Sequence, residues 1–351
     1  MRVLVVNAGS SSLKLSLLDG DATVTAVTVE PGADLAAALD EHDLRDAEAV
    51  GHRIVHGGAR FTAAVEIDDG IERALRALVD LAPLHQPTSL AALDAVTAEL
   101  PDRPAVACFD TNFHATIPEA ARTYALPAAW RARWDLRRFG FHGLSHAWVA
   151  RQVDAPRVVS CHLGAGASLC AIRDGRSVDT TMGFTPLEGL VMATRSGSVD
   201  PGLVLWLLEH GELEAAELAS ALEHESGLRA LTGSPDMREV LTRAAAGDER
   251  AILGRDVYVH RLCAGIAAMA ASLGGLDALA FTGGVGEHAP AVRALAAERL
   301  EFLGVAIDAE ANAGADADAD VSAEGASART QVIAAREDRE IARQVRALLA
   351  G

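Results

Sequence analysis

Lysine is almost missing from this chain of 351 residues: Lys14 is its only lysine, and all other basic side chains except the histidines are arginines. An ammonium and a guanidinium are not interchangeable at a phosphate, so a lone lysine indicates a place that needs a compact point charge. Cysteine is scarce too. The four cysteines show no C-x-x-C spacing, which fits reduced, structural thiols.

Long apolar runs are also missing, although half of the residues are apolar. A helix that crosses a bilayer needs about 20 consecutive apolar residues, and the short apolar stretch at the N-terminus lacks the length and leader of a signal peptide. We therefore expect a cytoplasmic protein. The net charge of −18 argues against nucleic acids and anionic membranes as partners.

Lys14 closes a segment that has the features of a phosphate-binding hairpin. The apolar run Val3–Val6 predicts a short buried strand, and the small residues that follow Asn7 predict a turn. A second strand then places alternate side chains on one face, and these are Ser10, Ser12 and Lys14. The alternative is a surface hairpin with a solvated lysine.

The hairpin has a second copy in the other half of the chain. Residues Val158–Ser168 align without a gap onto Val3–Leu13, and Gly164 falls on Gly9. Both copies run on to an Asp-Gly turn, at residues 19–20 and 174–175. Such internal repetition predicts a duplicated domain with a nucleotide between the halves.

Short apolar runs alternate with Ala- and Leu-rich stretches along the whole chain, which predicts an α/β fold with mixed sheets. We expect a first domain at 1–149, completed by a C-terminal helix at 338–351, and a second domain at 150–337. The Ala-Asp alternation at 309–320 is interpreted as a solvated loop without a packing role.

Three charged residues lie in segments that are typical of catalytic or ligand-binding sites. Arg53 lies at the end of a predicted strand, before two glycines. Its guanidinium fork can bind a carboxylate or phosphate there, and the alternative is a solvated side chain. Asp110 follows a strand, a common position for an Mg²⁺ ligand and also for a helix N-cap. Arg195 lies in a long Gly- and Thr-rich loop, as a transition-state cation or in an ion pair with Asp200.

Two histidines and a Gly-rich turn complete the motifs. His85 lies in a proline-framed loop, either as a donor to a phosphoryl group or as a capping or core residue. His142 follows Phe141 between glycines that permit close backbone approach, and a zinc site there is disfavoured because the cysteines do not cluster with these histidines. The turn at 282–287 follows a predicted strand and is a candidate adenosine platform.

These motifs, in this order, resemble the acetokinase family, from Val3 to about Arg343. The resemblance implies a duplicated two-domain α/β fold of the actin, sugar-kinase and Hsp70 type (ribonuclease H-like), with ATP in an interdomain cleft. It implies reversible, Mg²⁺-dependent transfer of the γ-phosphoryl group of ATP to acetate, which gives acetyl phosphate and ADP. Mn²⁺ is a possible substitute for Mg²⁺, and a homodimer is the expected assembly.

The resemblance also assigns roles to the matched positions. The expected catalytic residues are Arg53, Asp110, His142 and Arg195. The carboxylate would contact Arg53, Val55, Leu84, His85, Phe141 and Pro186. ATP would contact Asn7, Ser10, Ser12, Lys14, His162, Gly164, Gly166, Asp236, Met237, Arg238, Gly284, Val285, Gly286 and His288. Mg²⁺ would be held by Asn7, Asp110 and Glu337.

The chemistry of the acceptor agrees with these roles. A carboxylate is ionised at pH 7, so the reaction needs charge neutralisation rather than a general base. A sugar kinase needs a base, and Asp110 leaves that alternative open. A propionate or butyrate kinase is another alternative.

The chain departs from the family pattern at Ala165, His288 and Arg336. With Ala165 the second phosphate loop lacks a polar side chain, although the glycines on either side can still offer backbone N–H groups. A regulatory nucleotide-binding module is therefore the non-enzyme alternative.

Overall fold

The computed structural model describes residues 1–8, 13–30, 33–79, 86–315 and 318–351. The chain divides into two compact units. Unit 1 comprises residues 1–115, 141–148 and 336–351, and unit 2 comprises residues 116–140 and 149–335. The expected boundary between the domains is at 149/150. In this division, residues 116–140 belong to unit 2 and not to unit 1.

Unit 1 is built on a mixed sheet of order β3-β2-β1-β4-β6-β5. Its strands are β1 (Arg2–Ala8), β2 (Leu13–Asp19), β3 (Ala22–Val29), β4 (Ala49–Ile54), β5 (Val65–Glu66) and β6 (Ala105–Phe109). Its helices are α1 (Leu35–Glu41), α2 (Asp69–Arg76), α3 (Gln86–Glu99), most of α6 (Gly143–Gln152) and α15 (Glu337–Leu349).

The sheet of unit 1 is covered on both faces. Leu4, Val6 and Val50 pack with Leu39 of α1 and Val96 of α3 on one face. On the other face, Ile341 and Val345 of α15 pack against Val3 and Val5. Gly51 on β4 makes this approach possible, because a Cβ there would lie 2.6 Å from Ile341 and 2.8 Å from Val345.

Unit 2 repeats the architecture with the order β11-β12-β10-β7-β8-β9. Its strands are β7 (Arg157–Leu163), β8 (Ala167–Arg173), β9 (Arg176–Thr180), β10 (Ala278–Thr282), β11 (Ala319–Asp320) and β12 (Arg329–Val332). Its helices are α4 (Glu119–Arg122), α5 (Ala128–Trp134), α7 (Pro201–His210), α8 (Ala215–Ser220), α9 (Gly227–Thr232), α10 (Met237–Ala245), α11 (Glu249–Leu273), α12 (Gly283–His288), α13 (Pro290–Arg299) and α14 (Ala309–Ala313).

Both sheets have the same topology when β7 is placed on β1. In each, an antiparallel hairpin leads into a third strand, two parallel strands follow on the other side, and a short antiparallel strand ends the sheet. The predicted duplication is therefore confirmed. The gap-free alignment is wrong by one residue after the turn, because Ala8 pairs with Leu13 but Leu163 pairs with Ala167.

The described parts of the stretch 309–320, residues 309–315 and 318–320, contain helix α14 and strand β11 and not the solvated loop that the composition predicts. The Asp308 carboxylate accepts a hydrogen bond from Ala311 N (2.7 Å) and so caps α14. Asn312 on that helix is buried and accepts a hydrogen bond from Arg293 Nε (2.7 Å). The segment therefore packs against α13.

Candidate functional site

Arg53, at the end of β4, is the centre of a charged cluster in unit 1. Its Nε lies 3.2 and 3.1 Å from the two carboxylate oxygens of Asp110, and its Nη2 lies 2.6 Å from Oδ2. Nη1 donates to Asn7 Oδ1 (3.1 Å) and lies 3.7 Å from a Glu337 oxygen. Asn7 Nδ2 also donates to Glu337 Oε2 (3.4 Å). Four predicted site residues from β1, β4, β6 and α15 are thus brought together.

The cluster is shielded from water, with only 2% of the Asp110 side chain and 19% of the Arg53 side chain exposed. Burial opposes the charge on Arg53, but the charges of Asp110 and Glu337 outweigh it and raise the guanidinium pKa. Burial raises the pKa of the Asp110 carboxyl, and Arg53 works against that rise. Asp110 is therefore an ion-pair partner and not the N-cap that was the alternative for it.

His142 is tied to the same cluster through the backbone. Gly143 N donates to Asp110 O (2.8 Å), and a Cβ at Gly143 would collide with that oxygen. His142 has a φ of 55°, a left-handed conformation that is uncommon for residues other than glycine. On the other side, His114 Nε2 lies 3.0 Å from Phe141 O. The turn that carries Phe141 and His142 is therefore fixed at both ends.

The remaining sites predicted in unit 1 are only partly described. Lys14 is exposed and pairs with Asn7 across the β1–β2 hairpin, so both side chains lie on the same face. Val55 is half-buried directly after β4. Four predicted contacts lie outside the described residues, namely Ser10, Ser12, Leu84 and His85.

In unit 2, Arg195 is half-buried in the loop that follows β9. Its Nη1 donates to Pro186 O (3.3 Å) and lies 3.9 Å from Met192 Sδ. Burial lowers the pKa of Arg195, and Glu223 opposes the effect. Asp200, the other partner considered for Arg195, accepts a hydrogen bond from Gly202 N (2.9 Å) and caps α7.

The second hairpin brings its own predicted residues to the end of β7. His162 is half-buried on β7, and the turn to β8 consists of Gly164, Ala165 and Gly166. Gly164 N donates to Gly166 O (3.0 Å), so this amide is used within the turn, contrary to our expectation that it is available to a ligand. Ala165 O accepts a hydrogen bond from Ala193 N (3.1 Å), which ties the hairpin to the Arg195 loop.

The candidate adenosine residues follow β10 and begin α10. Residues Gly283–His288 are helical, so the prediction of a Gly-rich turn is wrong; this stretch includes Gly284, Val285, Gly286 and His288. Asp236 caps α10 and pairs with the exposed Arg238 (2.6 Å), which holds the pKa of Asp236 below its usual range. Met237 is buried in unit 2.

Oxygen ligands suitable for Mg²⁺ are present in the Arg53 cluster. No group of three or more His, Cys, Asp or Glu side chains with metal-site geometry exists among the described residues. Mg²⁺, however, is commonly held by only one or two carboxylates together with water and substrate phosphates. The carboxylates of Asp110 and Glu337 and the amide oxygen of Asn7 fit that requirement, although all three now face Arg53.

Sequence reasoning missed three side chains that hold the Arg195 loop, namely Tyr124, Arg138 and Glu188. Tyr124 donates to Glu188 Oε2 (2.6 Å), and Arg138 donates to Glu188 Oε1 (2.8 Å). Glu188 lies inside the Gly- and Thr-rich loop that the sequence marks as functional. The signal was therefore present for Glu188, but nothing in the sequence indicated its partners, which lie 50 and 64 residues away.

No helix in the described part of the chain has the length and apolar character needed to span a membrane.

Two sheets of one topology, each beginning with an antiparallel hairpin, define the duplicated α/β fold expected from the sequence. The model of the acetokinase family matches residues 30–343. The chain belongs to this family.

Individual relatives agree with that assignment. The chain is 45% identical over 308 residues to an acetate kinase from Nostoc punctiforme, an alignment that covers 85% of this chain and 76% of the relative. The crystal structure of Porphyromonas gingivalis acetate kinase matches with a TM-score of 0.90 at 33% identity, covering 99% of both chains. A propionate kinase structure from Francisella tularensis matches with a TM-score of 0.90 at 32% identity, covering 98% of both chains.

Proposed function

We propose that this protein is a carboxylate kinase that transfers the γ-phosphoryl group of ATP to acetate, reversibly, to form acetyl phosphate and ADP. The observation that carries the proposal is the Arg53 cluster, in which Asp110, Asn7 and Glu337 fix one guanidinium. Membership of the acetokinase family supports the same reaction.

The arrangement suits an acceptor that is already an anion. An acetate ion needs no general base, but its approach to a phosphoryl group brings negative charges together, so fixed cations must offset that repulsion. Among the described residues, hydrogen bonds to Asp110 and Asn7 use three of the five guanidinium N–H groups of Arg53. Of the two remaining N–H groups, the one on Nη2 would bind the anion, since Nη1 also lies 3.7 Å from a Glu337 oxygen.

Arg195 and His142 would provide further positive charge and hydrogen bonds. The Arg195 guanidinium is anchored to Pro186 O, and a guanidinium is suited to bind a planar or phosphoryl anion. His142 is held in place by a strained turn, which fixes the backbone from which its ring projects. Asp110 acts here by holding Arg53 rather than by removing a proton.

Asn7, Asp110 and Glu337 would hold Mg²⁺, and Mn²⁺ accepts the same oxygen ligands. When bound, the metal ion would offset charge on the phosphates of ATP. The predicted contacts of ATP are the two hairpins, the start of α10 and helix α12.

The apolar residues proposed to contact the acyl group are Val55, Phe141 and Pro186. Phe141 is buried and Val55 is half-buried in unit 1, and Pro186 is half-buried in unit 2. The propionate kinase structure matches with the same TM-score as the acetate kinase structure. Propionate is therefore the second candidate substrate.

The decisive experiment is a hydroxamate assay for acyl phosphate with ATP, Mg²⁺ and the acids from formate to butyrate. We expect acyl phosphate from acetate, with a lower rate for propionate. A higher rate with propionate would replace the substrate but keep the reaction. No product from any of these acids, with ATP binding intact, would favour the regulatory module and overturn the proposal.

We further infer a homodimer, supported by helix α7. Although α7 is mostly apolar, none of its residues is buried. Leu205 and Trp206 are 59% and 53% exposed, and Leu203 is 48% exposed. An exposed helix with this apolar composition marks a site of protein association, and a second copy is the partner that most soluble oligomers use.

A further inference from the structure

The loop that carries Pro186 and Arg195 is held by the segment 116–140 of the same unit. Arg138 Nη1 donates to Thr181 O (3.1 Å) and to Met182 O (2.9 Å), the residues that open the loop. The backbone continues the contact, because Phe139 N donates to Gly183 O (3.0 Å). The start of the loop is therefore fixed from outside the loop.

Glu188 is the point where these contacts converge. Its Oε1 accepts from Arg138 Nη2 (2.8 Å), and its Oε2 accepts from the Tyr124 hydroxyl (2.6 Å). The same hydroxyl accepts from Phe184 N (2.9 Å), so it bridges the backbone and the side chain of the loop. Burial and the bond to Glu188 raise the pKa of Tyr124, which keeps its hydroxyl a donor.

The network packs tightly against Gly183. A Cβ at Gly183 would collide with Glu188 Oε2 and with the Tyr124 hydroxyl. The Arg138 guanidinium also lies 5.7 Å from the centre of the Tyr124 ring. Because Arg138 pairs with Glu188, the network adds no net charge to a loop whose proposed role is to bind anions.

The position of Glu188 connects the network to both proposed site residues of the loop. Pro186 is two residues before it, and Pro186 O accepts the hydrogen bond from Arg195 Nη1 (3.3 Å). Gly189 directly follows it, and Gly189 N and O bond to Ser198 Oγ (3.1 Å) and Ser198 N (3.0 Å). A displacement of Glu188 would therefore move Pro186 and the anchor of Arg195 together.

We propose that Tyr124, Arg138 and Glu188 form a positioning triad that sets the place of Pro186 and Arg195 and thereby the selectivity among short carboxylates. None of the three is assigned contact with the substrate. The selectivity part rests on the proposed function, whereas the positioning of the loop does not.

The test compares Glu188→Gln and Tyr124→Phe with the control Glu119→Gln. Glu119 is an exposed carboxylate on the same segment that pairs with Arg122 and Thr123, away from the loop. For each variant, kcat and KM are measured for acetate, propionate and ATP. Hydrogen–deuterium exchange is measured on peptides that cover residues 183–197 and, as an internal reference, 167–180.

We expect both triad variants to raise the KM for acetate at least fivefold and to change the acetate-to-propionate ratio of kcat/KM at least threefold. The KM for ATP should stay within twofold, and peptides at 183–197 should exchange faster than in the wild type. Glu119→Gln should behave as the wild type does. If Glu188→Gln does not fold, Tyr124→Phe carries the same measurements.

The variants could instead lose kcat while the KM for each carboxylate and the acetate-to-propionate ratio of kcat/KM stay unchanged. That result indicates only a lower fraction of active protein, and it would overturn the proposal that the triad sets selectivity. Unchanged exchange at 183–197 in Tyr124→Phe would overturn the positioning itself. A wild type that phosphorylates no carboxylate refutes the proposed function, while the exchange result still decides whether the triad holds the loop.

Discussion

The guanidinium of Arg53 and the carboxylate of Asp110 lie edge to edge. Nε donates to both carboxylate oxygens, and Nη2 donates to Oδ2. A lysine has one ammonium and cannot reproduce this fork. We therefore expect Arg53→Lys to lower kcat in the hydroxamate assay by about a hundredfold or more. Arg45→Lys is the control, since Arg45 pairs with Asp40 and Glu99 elsewhere in unit 1. Activity of Arg53→Lys within a few-fold of wild type would exclude a role for the fork.

Arg195→Ala should separate catalysis from nucleotide binding. Without the guanidinium, negative charge on the transferring phosphoryl group would lose a fixed partner, so we expect kcat to fall by about three orders of magnitude or more. The affinity for ATP, measured by calorimetry, should change by less than threefold. Equal losses of ATP affinity and kcat would instead assign Arg195 to the nucleotide.

Gly143→Ala tests the backbone link between Asp110 and His142. The added Cβ would collide with the backbone oxygen of Asp110, so either the turn or the backbone that carries Asp110 must move. We expect the variant to lose at least tenfold in kcat and about 1–3 kcal/mol in the free energy of unfolding, the usual cost of overpacking. Gly314→Ala is the matched control, because its Cβ would meet only Glu310 O at 3.5 Å. A Gly143→Ala variant with normal activity and stability would show that the turn adapts.

Arg53 and Asp110 could be singled out from the sequence because each is a charged side chain at the end of a predicted strand, whereas Asn7 and Glu337 were indicated by the family resemblance. The β-hairpins were equally visible, since their apolar runs and glycines are local signals. The features that the sequence did not predict depend on contacts between residues that are far apart in the chain. Asn312 is buried because Arg293 reaches it, and an Ala-Asp alternation gives no sign of that partner.

The one-residue slip in the alignment of the hairpins has a similar cause. The sequence alignment places Gly164 on Gly9. The strand pairing, however, leaves three residues between β7 and β8 and four between β1 and β2. The length of a turn is set by the pairing of the strands that flank it, which letters alone do not contain. Met237 is assigned to adenosine by the family resemblance, and in the structure its apolar side chain is buried in unit 2.

His52 should make folding stability depend on pH. It is fully buried beside Arg53 on β4, neither ring nitrogen has a hydrogen-bond partner among the described residues, and burial lowers its pKa to about 3. The unfolded chain, with a histidine pKa near 6.5, binds this proton more readily between those values. The free energy of unfolding therefore falls as pH drops below about 6.5, by about 1.4 kcal/mol per pH unit for this group.

Urea unfolding at pH 7 and pH 5 measures this effect. We expect His52→Leu to lose about 2 kcal/mol less than the wild type between the two pH values. His260→Leu, a change at an exposed histidine of α11, is the control and should keep the pH dependence of the wild type. Identical pH dependence in His52→Leu and the wild type would show that the His52 ring is solvated or paired in solution.

Leu205→Asp on α7 should convert the inferred dimer to a monomer. A charge in an apolar interface must be desolvated without a partner, which costs several kcal/mol for each copy. Analytical ultracentrifugation of wild type and variant gives the mass directly. Val24→Asp, at an equally exposed valine of β3 in unit 1, is expected to leave the mass unchanged. A wild type that sediments as a monomer would contradict the assembly.

Helix α15 also determines when unit 1 can be completed during synthesis. The unit begins at residue 1, but Ile341 and Val345, which cover its sheet, and Glu337, which belongs to its charged cluster, come from residues 336–351. All of unit 2 has been translated before that stretch emerges from the ribosome. Unit 1 therefore cannot be completed until the end of synthesis, although most of it is translated first, and one face of its sheet lacks the cover of α15 until then.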